Sequence, residues 1–130
     1  MSKGKIVIAE DNIELSQLIA ARLRDEGYDV YQAEDGQKGL IKIQAEQPDL
    51  VILDLAMPRI PGSKMIRVLR DDPMFRRIPI IMLSAFVTPD MGESVEVPAD
   101  YYMSKPFDEK RLIEKINELI SRSNNSCAIA

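Results

Sequence analysis

Leu50-Val51-Ile52-Leu53-Asp54-Leu55-Ala56-Met57-Pro58 is the stretch whose reading decides the fold. Its apolar run is too short for a typical helix and rich in branched side chains, which fits a strand buried on both faces. Asp54 stands where the run stops and where Pro58, Pro61 and Gly62 begin to punctuate the chain, so it belongs at the strand's carboxyl end, facing the loops. In open parallel α/β sheets that edge is where ligands bind.

The same pattern recurs on both sides of this stretch. Lys5 to Ala9 is a short apolar run ending in Glu10-Asp11, and Asn12 follows as a helix cap. Leu15, Leu18, Ile19 and Leu23 then recur at helical spacing over residues 13–26, with Gly27 as the stop. Residues 28–33 alternate as a second strand, and residues 36–47 carry Leu40, Ile41 and Ile43 on a helix ended by Pro48. After the Asp54 strand, Met65, Ile66 and Leu69 mark a third helix over 63–70, and residues 78–83 form a strand that ends at Ser84. Tyr101 to Ser104 reads as a fifth strand broken by Lys105-Pro106. Asp108 caps a last helix with Leu112, Ile113, Ile116, Leu119 and Ile120 as its apolar stripe.

Strands alternating with helices imply right-handed crossovers and a parallel sheet covered on both faces. All the strand ends then share one edge, which gathers Glu10, Asp11, Asp54, Ser84 and Lys105 into one cleft. Size and composition agree with a single domain: 130 residues, 45% hydrophobic, without an internal shift in composition. We expect it to occupy residues 1–120, with a polar, disordered tail over 121–130. Seventeen Lys+Arg against 21 Asp+Glu give a formal charge of -4, which offers no footprint for direct nucleic-acid binding. The one cysteine, Cys127, cannot form an internal disulfide, and the N-terminal apolar run is too brief for a signal peptide or membrane span. A cytoplasmic location without membrane contact is the expectation. The last four residues fit a prenylation box loosely, but no polybasic stretch precedes them.

Carboxylates crowded at one edge repel: at an effective dielectric of about 20, a pair ~4 Å apart costs on the order of 4 kcal/mol. A bound divalent cation relieves that strain, and oxygen donors without His suit a hard ion such as Mg²⁺. An ionised aspartate beside such an ion can act as a nucleophile toward a phosphoryl group, with a lysine and a hydroxyl offsetting the transferred charge.

In these residues the chain resembles the receiver domain of two-component response regulators, from about Lys5 to Ile120. The resemblance is carried by the acidic pair after the first strand, the aspartate ending the third with Met57-Pro58 and Gly62 behind it, the hydroxyl ending the fourth and Lys-Pro ending the fifth. It implies a flavodoxin-like (βα)5 fold, a doubly wound five-stranded parallel sheet in the order 2-1-3-4-5. It also implies roles. Asp54 matches the phosphoacceptor, and Glu10, Asp11, Asp54 and the Ala56 carbonyl match the Mg²⁺ site, with Glu10 where the family often has Asp. Ser84 and Lys105 match the groups that meet the phosphoryl oxygens. Ser84 and Tyr102 match the switch residues, and the Lys105-Pro106 bond is cis in the family.

Family members take the phosphoryl group from a sensor histidine kinase or a histidine phosphotransfer protein, and catalyse their own phosphorylation and dephosphorylation rather than acting as conventional enzymes. This chain has no His, so the donor acts in trans. Ala56 and Phe86 flank the site in the family, and neither can orient a water, which predicts a comparatively long-lived phosphoryl state.

The clearest departure is the atypical fourth helix. Thr88 and Pro89 can start it, but Gly92, Val95, Val97 and Pro98 suit it poorly, so segment 86–98 is expected to be short or distorted. That surface is where family partners commonly read the phosphorylated state, so the downstream protein target is left open. Of the rivals, a haloacid-dehalogenase-type phosphatase lacks its second aspartate, because Ala56 holds that place. A dinucleotide-binding module lacks the Gly-rich turn. The alternative that stands is a receiver-like interaction module independent of phosphorylation. No output domain is visible in these residues, so the signal passes to another protein or the chain is a fragment of a longer one.

Overall fold

The computed structural model describes residues 2–54, 60, 62–84, 99–104 and 108–129. Five strands, β1 (Lys5–Ala9), β2 (Asp29–Ala33), β3 (Leu50–Asp54), β4 (Ile80–Ser84) and β5 (Tyr101–Ser104), form one sheet. Every pairing is parallel and the order is β2-β1-β3-β4-β5, as the sequence reading expects. Helices α1 (Ile13–Asp25), α2 (Gly36–Glu46), α3 (Gly62–Asp71) and α4 (Glu109–Ile129) cover it.

The central strands β1, β3 and β4 are apolar along most of their length because both faces of the sheet are covered there, and alternate residues serve opposite layers. Ile6, Ile8, Leu50, Ile52, Ile81 and Leu83 pack with Ile19, Ala20 and Leu23 of α1 and with Leu112, Ile116 and Ile120 of α4. Their neighbours Val7, Ala9, Val51, Leu53, Ile80 and Met82 pack with Ile43 of α2 and Met65, Ile66 and Leu69 of α3. Every residue of β3 is buried, Asp54 included. The register places Ala9 beside Leu53, Asp54 beside Leu83 and Ser84 beside Ser104, so the strands end together along one edge.

Two helical stripes differ from the expected ones. In α1, Leu18 is half exposed while Ser16 and Ala20 are buried with Ile19 and Leu23, so the buried stripe runs through positions 16, 19, 20 and 23. Ser16 tolerates burial because its hydroxyl accepts a hydrogen bond from Gln32 Nε2 at 2.9 Å. In α2, Ile43 is buried and Leu40 partly so, whereas Ile41 is exposed. Helix α2 ends at Gln47, held in the left-handed region at φ 48°, and Pro48 follows.

The last helix runs through Ile129, where the sequence reading expects a disordered tail over 121–130. Helix propagation adds a backbone hydrogen bond per residue without requiring a buried face, so a polar stretch can continue a helix that packing has already nucleated. The expected atypical helix over 86–98 lies outside the described residues.

Candidate functional site

β1 delivers Glu10 and Asp11 to the carboxyl edge, and the helix start that follows orients them. Asn12 caps α1, its side chain accepting the Leu15 N–H at 3.1 Å, and the Asn12 N–H donates to Glu10 Oε2 at 3.2 Å. The Glu10 N–H donates to the Ala33 carbonyl at 3.1 Å, which extends the β1–β2 pairing by one residue and fixes the backbone beneath the acid. Both acids therefore stand at the positive end of α1, a placement worth about 0.3–1 kcal/mol for an exposed carboxylate.

Asp54, the last residue of β3, comes from the neighbouring strand. Ligand oxygens of Glu10, Asp11 and Asp54 all lie within 4.8 Å of one another. Glu10 and Asp54 are buried, at 2% and 7% exposure, while Asp11 is exposed and opens the group to solvent. Three hard oxygen donors, with no sulfur or imidazole among them, fit a hard divalent cation and do not fit a soft one. An ionised aspartate in such a group can also act as a nucleophile toward an incoming electrophile.

The sequence-predicted residues divide into three sets. The structure brings Glu10, Asp11 and Asp54 together. Ser84 is the last residue of β4, on the same edge, with its backbone beside Ser104, and its side chain is outside the described set. Tyr102 is half-buried in β5, where it packs against the layer of α2 and α3 while Tyr101 packs against that of α1 and α4. Its hydroxyl accepts the Ala99 N–H at 3.0 Å. Ala56 and Lys105 lie outside the described residues, as do Phe86 and the Lys105-Pro106 bond.

Sequence reasoning missed Asp35. This residue follows β2 at the same edge and is 5% exposed, and its Oδ1 accepts the Lys38 N–H at 2.8 Å as the cap of α2. The available signal was Asp35-Gly36 at the end of the second strand, the same strand-then-acid pattern that marks Glu10 and Asp54. A cleft of about 540 Å³ between α1 and α2, flanked by Ile13 and Ile41, adjoins Glu10 from the side. Among the described residues, no helix is long and apolar enough to cross a membrane.

Comparison with known proteins agrees with this geometry. Residues 6–117 match the response regulator receiver domain family. The chain is 36% identical over 121 residues to the DNA-binding dual master transcriptional regulator RpaA of Synechocystis, covering 92% of this chain and 50% of that protein. It thus spans about half the length of the curated relatives it matches. The receiver domain of the Francisella response regulator 1452 superposes with a TM-score of 0.86 at 29% identity, covering 93% of this chain and 99% of that one. The receiver domain of the Pseudomonas aeruginosa sensor histidine kinase PA1611, whose structure has a magnesium ion coordinated in the active-site cleft, superposes at 0.82 with 28% identity, covering 91% and 98%. A parallel sheet in this order, an acidic trio at its carboxyl edge and a match over nearly the whole chain give one conclusion: the chain belongs to the family of response regulator receiver domains of two-component signalling.

Proposed function

We propose that this receiver accepts a phosphoryl group on Asp54 in a Mg²⁺-dependent reaction and signals through a change in its surface. The observation that carries the reading is the convergence of Glu10, Asp11 and Asp54 within 4.8 Å at the carboxyl edge of the sheet. These three carboxylates, with the Ala56 carbonyl, would hold the cation, and the magnesium ion of the PA1611 receiver supports that choice of metal. When bound, Mg²⁺ supplies charge neutralisation and orients the phosphoryl oxygens.

The chain's own residues carry the chemistry. A carboxylate oxygen of Asp54 attacks phosphorus, the P–N bond of a partner's phosphohistidine breaks, and the imidazole leaves with the bonding pair, giving an acyl phosphate. Lys105 pairs with a phosphoryl oxygen and Ser84 turns its hydroxyl toward the group. Tyr102, whose hydroxyl holds the Ala99 N–H at the mouth of β5, then exchanges that bond for another rotamer. Neither the Ala56 nor the Phe86 side chain carries a polar atom to steer water, so the acyl phosphate persists.

The donor is a sensor histidine kinase or a histidine phosphotransfer protein, acting in the cytoplasm. The functional unit is residues 1–120, and the target is a separate protein or a further segment of a longer chain. RpaA is named as DNA-binding, but it is about twice the length matched here. The receiver's net charge of -4 argues against nucleic-acid contact by these residues.

Intact mass after incubation with Mg²⁺ and a small-molecule phosphodonor tests the reading. One added phosphoryl group is expected, absent from Asp54→Asn and absent when the metal is chelated. No added mass, with a competent histidine kinase present as well, would instead favour an interaction module independent of phosphorylation.

A further inference from the structure

We infer that Arg70 and Asp100 are positioning residues for Tyr102: together they fix the backbone entering β5 and so hold in place the Ala99 N–H to which the Tyr102 hydroxyl is bound. The inference rests on Tyr102 changing rotamer when the receiver is activated, as proposed above.

β5 has four residues and lies at the edge of the sheet, beside β4. An edge strand pairs on one side, so its entry depends on what that side supplies. The Asp100 N–H donates to the Ile80 carbonyl at 2.9 Å, and Asp100 Oδ2 accepts the Ile80 N–H at 2.8 Å. One residue thus satisfies both backbone groups of Ile80, with a carboxylate taking the place of a backbone carbonyl as acceptor. Arg70, in the last turn of α3, donates from Nη2 to the same Oδ2 at 2.8 Å. Its Nη1 donates to the Ile78 carbonyl at 2.6 Å and the Arg76 carbonyl at 3.0 Å. The planar guanidinium therefore cannot turn away from Asp100 without breaking bonds to the segment that leads into β4.

Tyr102 takes its partner from this pinned stretch. Its hydroxyl accepts the Ala99 N–H at 3.0 Å, and Tyr102 and Ala99 pack against the same core layer, the one that α2 and α3 cover. Because peptide units are planar, only the φ and ψ of Ala99 separate its N–H from the Asp100 N–H that is fastened to Ile80. Fixing Asp100 fixes the donor, and the donor favours the rotamer that Tyr102 occupies. Loss of one such hydrogen bond corresponds to a change of about two- to tenfold in the rotamer equilibrium. The pair at the end of α3 thus biases the resting rotamer, and releasing it moves Tyr102 partway toward the activated one without phosphate.

The test reads the χ1 of Tyr102 from three-bond couplings in the isotope-labelled chain, with amide exchange at Ala99 and Tm recorded alongside. Asp100→Ala removes the carboxylate but leaves Arg70 its two carbonyl partners. Tyr28→Phe, which removes the hydrogen bond to Asn117, controls for a general loss of stability. Asp100→Ala is expected to shift the Tyr102 rotamer ratio about two- to tenfold and to speed Ala99 exchange, while Tyr28→Phe leaves the ratio unchanged. An unchanged ratio in Asp100→Ala, with Tm lowered, overturns the inference, since the pair then only holds the fold.

Should Asp100→Ala fail to fold, Arg70→Lys decides, because lysine keeps the charge but cannot reach Asp100 and both carbonyls as a planar fork. A shift in the same direction supports the inference, and a rotamer ratio equal to that of the natural chain overturns it. A natural chain whose Tyr102 keeps its rotamer after incubation with Mg²⁺ and a small-molecule phosphodonor refutes the underlying reading. If Tyr102 moves there while the variants leave the resting ratio untouched, only the role of Arg70 and Asp100 is refuted.

Discussion

At the scale of single residues, the same side-chain type takes different meanings according to what surrounds it. Tyr28 is 5% exposed and its hydroxyl donates to Asn117 Oδ1, joining the start of β2 to α4. Burial first, and the charge of Glu26 second, raise its pKa above the usual tyrosine value. A raised pKa means that the folded state holds the phenolic proton more tightly. The associated stability is thus fully present below pH about 10 and is lost as pH rises through the folded value. Urea unfolding followed from pH 8 to 11 should show the natural chain losing stability more steeply than Tyr28→Phe, which has no proton to lose there. Equal slopes would remove Tyr28 from the account. Nothing in its spacing distinguishes Tyr28 from Tyr31, because the partner Asn117 is 89 residues away in sequence. The acids are the opposite case: Glu10, Asp11 and Asp54 were legible because each ends an apolar run, and a strand's end in a parallel sheet is a defined place.

At the scale of elements, the apolar runs give the strands and helices directly, but the ties between elements depend on polar groups with no period. Arg70, in the last turn of α3, donates from Nη1 to the carbonyls of Arg76 at 3.0 Å and Ile78 at 2.6 Å, and from Nη2 to Asp100 Oδ2 at 2.8 Å. That same carboxylate oxygen accepts the Ile80 N–H at 2.8 Å, so one guanidinium joins α3, the approach to β4 and the approach to β5. Arg70→Ala strands two carbonyls and a carboxylate, and should cost about 2–3 kcal/mol in urea unfolding. Arg22 also forms an ion pair, with Glu109 at 3.0 Å, but both side chains are well exposed. Arg22→Ala should fall within about 0.5 kcal/mol of the natural chain. If the two variants behave alike, the distinction between a satisfied junction and a surface pair fails here. The sequence marks both residues only as cations on helices. The misjudged stripes of α1 and α2 have a related cause: hydropathy favours Leu18 and Ile41, whereas seating on the sheet buries Ser16 and Gly39, whose small size allows close approach.

At the scale of the whole molecule, the proposed metal site would couple cation binding to folding. The unfolded chain scatters Glu10, Asp11 and Asp54, and only the assembled sheet edge brings their oxygens within 4.8 Å. A cation that binds the folded form alone stabilises it by about 2.7 kcal/mol at 100 times its dissociation constant. For a chain of this size that corresponds to a rise in Tm on the order of 10 °C. Calorimetric scans with saturating Mg²⁺ should show that rise, chelator should reverse it, and the doubly neutralised Asp11→Asn, Asp54→Asn chain should lack it. A Tm indifferent to Mg²⁺ would count against the metal assignment.

The sequence by itself determined the alternation of strands and helices, the parallel sheet and the edge on which the acids meet. Those features follow from local hydrophobic period and from handedness, which act over ten or twenty residues. Only the tertiary structure decided which small residues are buried, that Asp35 closes the row of strand-end acids, and that Gly36 meets the backbone at Ile60. These are contacts between segments distant in the chain, set by how closely two backbones approach, and no local pattern of side chains encodes that distance.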